Sequence, residues 1–325
     1  MEISDHSDLS ATKSAALVCR ELSIPHISVN ISQDFKNKVI EPFCTSYLLG
    51  STPNPCADCN ERIKFGVLWE IAKGLSGEDF FVATGHYARI INRDGRHYLA
   101  EGANKAKDQS YFLSGISPGK ISRILLPLGD HKTKEETRRV VRSYGIPVSE
   151  RTESMEICFA DQDGYRSLFT SGSNPGPILD TVGRILGEHS GISGYTIGQR
   201  KGLGISAQNP LYVVSIIPAA NTVVVASRQE AYRSEVAAER TNVLAPEFMV
   251  PNALLWGKVR SQGSAFPCRI ISFYGQEIKV RFEKPVFAPA PGQRLVIYTA
   301  EGYVAAGGVI KVQDEMQPVR LTVRQ

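Results

Sequence analysis

The segment Asp79-Phe-Phe-Val-Ala-Thr-Gly85, followed by His86, is a short apolar run closed by a glycine. Its length and its aromatic and β-branched content predict a buried strand. Working outward, Ile63 to Gly74 carries apolar residues at helical spacing, and Asp34 to Leu49 predicts a further helix. Residues 10–22 predict another helix, and Ile24-Pro-His-Ile-Ser-Val-Asn30 a short buried strand after it. Helices alternating with buried strands imply an α/β domain, a parallel sheet covered on both faces. The alternation weakens after Lys107-Asp-Gln-Ser-Tyr-Phe112. A helix from Thr133 to Tyr144 then closes with Gly145 and Pro147 as stop signals.

Downstream the pattern changes. Glycine-rich turns occupy residues 160–205, and from Tyr212 onward short strands recur: Leu211–Ile217, Thr222–Ala226, Ala253–Arg260, Cys268–Phe273, Glu277–Phe282, Arg294–Tyr298 and Gly308–Val312. Regular short strands argue for a small all-β barrel at the C-terminus. The expected division is an α/β domain over 1–150, a small central domain over 151–240 and a β-barrel over 241–325.

With 325 residues and 42% hydrophobic content the chain can build a core in each part. No apolar run approaches the roughly 20 residues of a membrane span, and the acidic start is unlike a secretory signal. A cytoplasmic protein is expected. Six cysteines are too sparse for a disulfide scaffold. Cys19, Cys44 and Cys268 read as structural. The net charge of +4 is modest, but basic residues gather at Lys132 to Arg142, at Arg200-Lys201 and at Lys258 with Arg260. Such patches fit either a solvated face or phosphate contacts.

The remaining cysteines carry the chemistry. Thr52-Pro-Asn-Pro-Cys-Ala-Asp-Cys-Asn-Glu-Arg-Ile-Lys-Phe65 holds Cys56 and Cys59, and Met155-Glu-Ile-Cys-Phe159 holds Cys158. Prolines at 53 and 55 predict an extended loop presenting the first two thiols. Thiols that meet in space can pass a sulfur atom and close as a disulfide.

These segments, with Ala83-Thr-Gly-His-Tyr87, Lys107-Asp-Gln-Ser-Tyr-Phe112 and Thr196-Ile-Gly-Gln-Arg-Lys-Gly-Leu-Gly204, resemble the bacterial tRNA-specific 2-thiouridylases of the MnmA type. The resemblance runs through nearly the whole chain. It implies an adenine-nucleotide α-hydrolase-like (PP-loop) domain, a central domain and a β-barrel. It also implies 2-thiouridine formation at the tRNA wobble position: ATP, with magnesium, adenylates the uracil C2 oxygen, and a cysteine persulfide displaces AMP. On that resemblance Cys158 carries the persulfide, and Cys59 completes the transfer and closes a disulfide with Cys158. Both thiols would need lowered pKa values, helped by Lys64 and by a helix starting after Cys59. Gly85 matches the glycine where the nucleotide approaches a strand end, and His86 a residue near the target base. Asn54, Pro55 and Cys56 match the segment facing a flipped-out uridine, while Lys107, Asp108, Gln109, Arg260, Ser261 and Gln293 match tRNA-contacting positions. The implied partners are tRNA and a persulfide donor, either a cysteine desulfurase or a sulfur-relay protein. A monomer is expected.

Two departures from the family pattern stand out. The loop Ser-Gly-Gly-x-Asp-Ser, whose backbone amides cradle ATP phosphates in the family, does not occur in this sequence. The expectation is an incomplete PP-loop domain that adenylates poorly as written, through a start assigned too far downstream, a truncation or a split enzyme. A non-catalytic or partner-dependent tRNA-binding remnant is the rival reading. The second departure is Cys56, where many members have aspartate; Asp58 is close enough to replace it. Cys56, Cys59 and Cys158 then also allow a three-thiolate iron–sulfur site. A zinc site lacks a partner Cys/His pair, and a thiol oxidoreductase built on Cys56 and Cys59 leaves the other motifs unused.

Overall fold

The computed structural model describes residues 9–146, 157–160, 168 and 174–312. Helix α1 (Leu9–Glu21) lies where the spacing predicts it. The strand expected over 24–30 does not form, and Ile24 and Ile27 are exposed. A strand persists where a neighbour takes up its backbone hydrogen bonds, and no described strand lies beside this segment. Helix α2 (Ser32–Phe35), a π-helical turn (Lys36–Ile40) and α3 (Glu41–Leu48) form one continuous rod. Helix α4 (Pro55–Cys59), a π-helical stretch (Asn60–Val67) and α5 (Leu68–Ser76) form a second. The rods pack through Phe35, Val39 and the fully buried Ile63.

Strand β1 (Val82–Ala83) stops two residues before Gly85 and pairs in parallel with β4 (Ile124–Leu125). Between them lie the hairpin β2 (Ala88–Arg93) and β3 (Arg96–Glu101), and helix α6 (Ser110–Leu113). The hairpin turn is Asp94-Gly95, both at positive φ, the conformation that a two-residue primed turn requires. Helix α7 (Lys134–Ser143) starts at a capping box: Thr133 Oγ1 accepts the Glu136 N–H at 3.2 Å, and the Glu136 carboxylate accepts the Thr133 N–H at 3.3 Å.

A four-stranded sheet follows, built from β5 (Gly176–Leu179), β6 (Ile185–His189), β7 (Leu211–Ile217) and β8 (Thr222–Ser227) in the order β6-β5-β8-β7. Its core is Ile178, Val213, Val223 and Val225. The closed barrel contains β9 (Tyr232–Val243), β10 (Leu254–Lys258), β11 (Phe266–Tyr274), β12 (Glu277–Phe287), β13 (Arg294–Tyr298) and β14 (Val304–Ile310), ordered β10-β11-β12-β9-β14-β13. In β12 the buried Ile278, Val280 and Phe282 alternate with Lys279 and Arg281 on the outside. Strands β7 and β8 therefore belong to the central sheet, and the barrel starts at Tyr232 rather than at 241. Strand β9 carries Glu235, Glu239 and Arg240 among alanines, so its apolar period is faint in sequence.

The barrel and the α/β part share one core. Phe65, Trp69, Leu99, Tyr111 and Leu113 pack with Val296, Tyr298 and Val304. Asn242 Nδ2 donates to the carbonyls of Ser114 at 2.9 Å and Ile116 at 2.8 Å. Tyr98 stacks on Tyr303 with centroids 4.8 Å apart.

Candidate functional site

The Pro-rich segment is a helix start. Asn54 caps α4, its Oδ1 accepting the Ala57 N–H at 3.0 Å, and Pro55 takes the first helical position, where a missing N–H costs nothing. The helix thus begins before both cysteines, not after Cys59. Cys56, in its first turn, is exposed, and Cys59 ends it, buried. Asn54 and Pro55 are themselves buried.

Phe159 brings in the second cysteine. Its ring meets Phe35 edge-on at 5.8 Å and Phe43 at 5.3 Å, and it packs on the cluster that contains Cys59. Residues 157–160 are thereby pinned beside α4. Cys158 raises the pKa of both Cys56 and Cys59 through space, Cys56 raises that of Cys59, and Lys64 opposes the rise at all three. All three are free thiols. Burial is the largest influence on each and pushes Cys59 up to about 11. The expected lowering of the thiol pKa values is therefore not found: desolvation outweighs Lys64. Among the described residues no group of three Cys, His, Asp or Glu side chains is arranged to hold a metal ion, so nothing here supports the three-thiolate cluster.

His86 lies beside the thiols through Lys64. Thr84 Oγ1 is 2.8 Å from its Nδ1, and Lys64 Nζ is 3.5 Å from its Nε2. Because an ammonium only donates, Nε2 is the acceptor and Nδ1–H points to Thr84. Burial first, and Lys64 second, push the His86 pKa down to about 4. Next to it Gly85 is exposed just past the end of β1, and a Cβ there would meet only Leu128 Cδ1 at 3.6 Å. The C-terminal end of a parallel strand is a common place for a nucleotide, and this one is open.

Several positions expected at a tRNA surface hold the interior together. Asp108 accepts the N–H groups of Gly102 at 2.9 Å and Ser110 at 3.1 Å, with Lys258 4.0 Å away. Gln109 accepts the Tyr87 N–H at 2.9 Å. Arg260 Nη2 donates to the carbonyls of Ile197 at 2.7 Å and Ala288 at 2.8 Å, tying the 196–204 motif to the barrel. Gln293 Nε2 donates to the Thr52 carbonyl at 2.9 Å. Lys107 and Ser261 are half-buried. Asp58 accepts a hydrogen bond from Arg294 at 2.7 Å. The sequence reading passed over Arg294 and Phe159. A charged residue heading the otherwise apolar Arg294-Leu-Val-Ile-Tyr298 was a signal for the first.

Three family models match successive parts of the chain. Residues 3–162 match a tRNA methyl transferase HUP domain, 170–227 a tRNA methyl transferase PRC-barrel domain, and 233–310 an aminomethyltransferase beta-barrel domain. The tRNA-specific 2-thiouridylase MnmA 1 of Syntrophus aciditrophicus is 40% identical over 304 residues, covering 93% of this chain and 80% of that protein. The chain belongs to the MnmA family. The MnmA proteins of Moorella thermoacetica (40% over 309 residues; 93% of this chain, 85% of that one) and Rhodopirellula baltica (38% over 312; 93% and 77%) are similarly related. As a MnmA-family chain it combines a HUP domain, a central domain and a closed six-stranded barrel. No helix among the described residues is long and apolar enough to cross a membrane.

Proposed function

We propose that this protein is a tRNA sulfurtransferase that replaces the C2 oxygen of the wobble uridine with sulfur. The observation that carries the reading is the meeting of Cys158 with Cys59 beside Lys64, across a long stretch of sequence, in a chain of the MnmA family. Bound ATP, with magnesium, would supply the activation that turns the uracil C2 oxygen into a leaving group, and the open strand end at Gly85 fits its approach. The thiols perform the rest. A persulfide on Cys158, loaded by a sulfur donor, bonds through its terminal sulfur to C2, and the C2–O bond breaks, the activated oxygen leaving with the bonding electron pair. The Cys59 thiolate attacks Cys158 Sγ, and the sulfur–sulfur bond to the base breaks. Its electron pair stays with the sulfur on C2, leaving thiouridine and a Cys59–Cys158 disulfide. Lys64 favours the thiolate that must form at Cys59, and neutral His86 offers no competing positive charge.

Mass spectrometry of nucleosides from tRNA incubated with protein, ATP and a persulfide donor tests this. Wild-type protein is expected to yield 2-thiouridine, and Cys59→Ser and Cys158→Ser none. One second reading is a partner-dependent or non-catalytic tRNA binder. It predicts retained tRNA and no product in the same assay.

A further inference from the structure

Strand β13 opens on Arg294, and all five of its residues are buried. Arg294 is 4% exposed, and a guanidinium so far from water persists only with paired acceptors. Both acceptors lie on the cysteine-bearing rod: Nη2 donates to Asp58 Oδ1 at 2.7 Å and to Glu61 Oε2 at 2.6 Å. Asp58 immediately precedes Cys59 and Glu61 follows it closely, and the rod passes from α- to π-helical between Cys59 and Asn60. Such π-helical segments are rare and concentrate at functional sites. The Arg294 backbone is fixed in turn by Tyr111, whose hydroxyl accepts the Arg294 N–H at 3.0 Å and donates to its carbonyl at 2.9 Å.

The same barrel loop holds the other flank. Thr52 N–H donates to the Pro291 carbonyl at 2.7 Å, and Gln293 Nε2 reaches the Thr52 and Pro53 carbonyls. Gly115 leaves the space that Glu61 fills, because a Cβ there would collide with the Glu61 carboxylate.

We propose that Arg294 is a positioning residue for sulfur transfer: by clamping Asp58 and Glu61 across the α-to-π junction, it sets the orientation in which the buried Cys59 thiol meets Cys158. The proposal rests on Cys59 as the transfer thiol. Cys56, exposed in the first turn of the same helix and ahead of the clamp, serves as an internal reference.

The test compares Arg294→Lys with a triple variant, Arg294→Met, Asp58→Asn and Glu61→Gln, which leaves no buried carboxylate unpaired. Two quantities are read: kcat and KM for tRNA thiolation, and the alkylation rate of Cys59 relative to Cys56 by iodoacetamide, without tRNA or ATP. In the triple variant kcat is expected to fall about tenfold or more with KM within about twofold, and the alkylation ratio to change about threefold or more. Arg294→Lys keeps one charge-assisted bond and falls between. If the triple variant does not fold, Arg294→Lys carries the test on the same readouts. An unchanged alkylation ratio in a folded variant overturns the proposal. A changed ratio supports the clamp even where wild-type protein makes no thiouridine, a result that would instead overturn the proposed function.

Discussion

Cys59 and His86 show how burial and a single lysine set the chemistry. Burial holds the Cys59 thiol up to about 11, with Lys64 pulling the other way. Its alkylation rate is therefore expected to climb about tenfold per pH unit between about pH 8 and about pH 10 without levelling off. Lys64→Met should lower the rate throughout that range, as read by peptide mass spectrometry. An unaffected rate would remove Lys64 from the site. His86 has its pKa pushed down to about 4 by burial and then by Lys64, against an ordinary 6.5. The unfolded chain thus binds a proton that the folded chain refuses. The stabilising contribution is complete above 6.5 and is lost as pH falls from there through about 4. Denaturant midpoints at about pH 7 and about pH 5 should fall less for His86→Asn than for wild type. An equal fall would exclude His86 as the responsible group.

At the scale of elements, the loop 291–293 and the aromatic wedge at Phe159 place the two cysteine segments. Gly292 has φ of 89°, and a Cβ there would lie 2.9–3.0 Å from the Thr52 backbone. Gly292→Ala should therefore destabilise the protein by about 1–3 kcal/mol in chemical denaturation and reduce thiolation. Activity and stability both unchanged would show that the barrel loop does not support the cysteine segment. The helices were legible because their apolar spacing is regular, and Leu211–Ile217 and Arg294–Tyr298 because each is apolar apart from one residue, Ser215 and Arg294. The β2–β3 hairpin was missed although Asp94-Gly95 announces it, since Arg93 and Arg96 flank the turn where alternating apolar residues would have drawn attention. The expected strand at 24–30 failed for a non-local reason: its apolar residues have no described neighbour to pair with. The cysteines were legible as residue types. Their raised pKa values were not, because burial is a property of the folded surroundings.

Across the whole molecule, the barrel is bonded into the α/β part rather than appended to it. Asp108, Gln109, Arg260 and Gln293 matched a tRNA-contact pattern in sequence, yet each bonds within the molecule: Asp108 and Gln109 inside the α/β part, Arg260 between the 196–204 motif and the barrel, and Gln293 between the barrel and the α/β part. Sequence spacing carries no sign of which way such side chains turn. Arg200 and Lys201 by contrast are exposed beside the 196–204 turn. Replacing both with alanine should weaken tRNA binding across sequences and reduce the slope of log affinity against log salt by about 1–2. An unaltered slope would place the phosphate contacts elsewhere.

Sulfur transfer between the two thiols is tested most directly in a single turnover. Protein carrying an isotopically labelled persulfide on Cys158 is mixed with tRNA and ATP, and thiouridine and cysteine peptides are quantified together. The labelled sulfur is predicted to enter 2-thiouridine in step with an equal amount of Cys59–Cys158 disulfide. Labelled thiouridine without that disulfide, or unlabelled thiouridine, would contradict transfer between these cysteines.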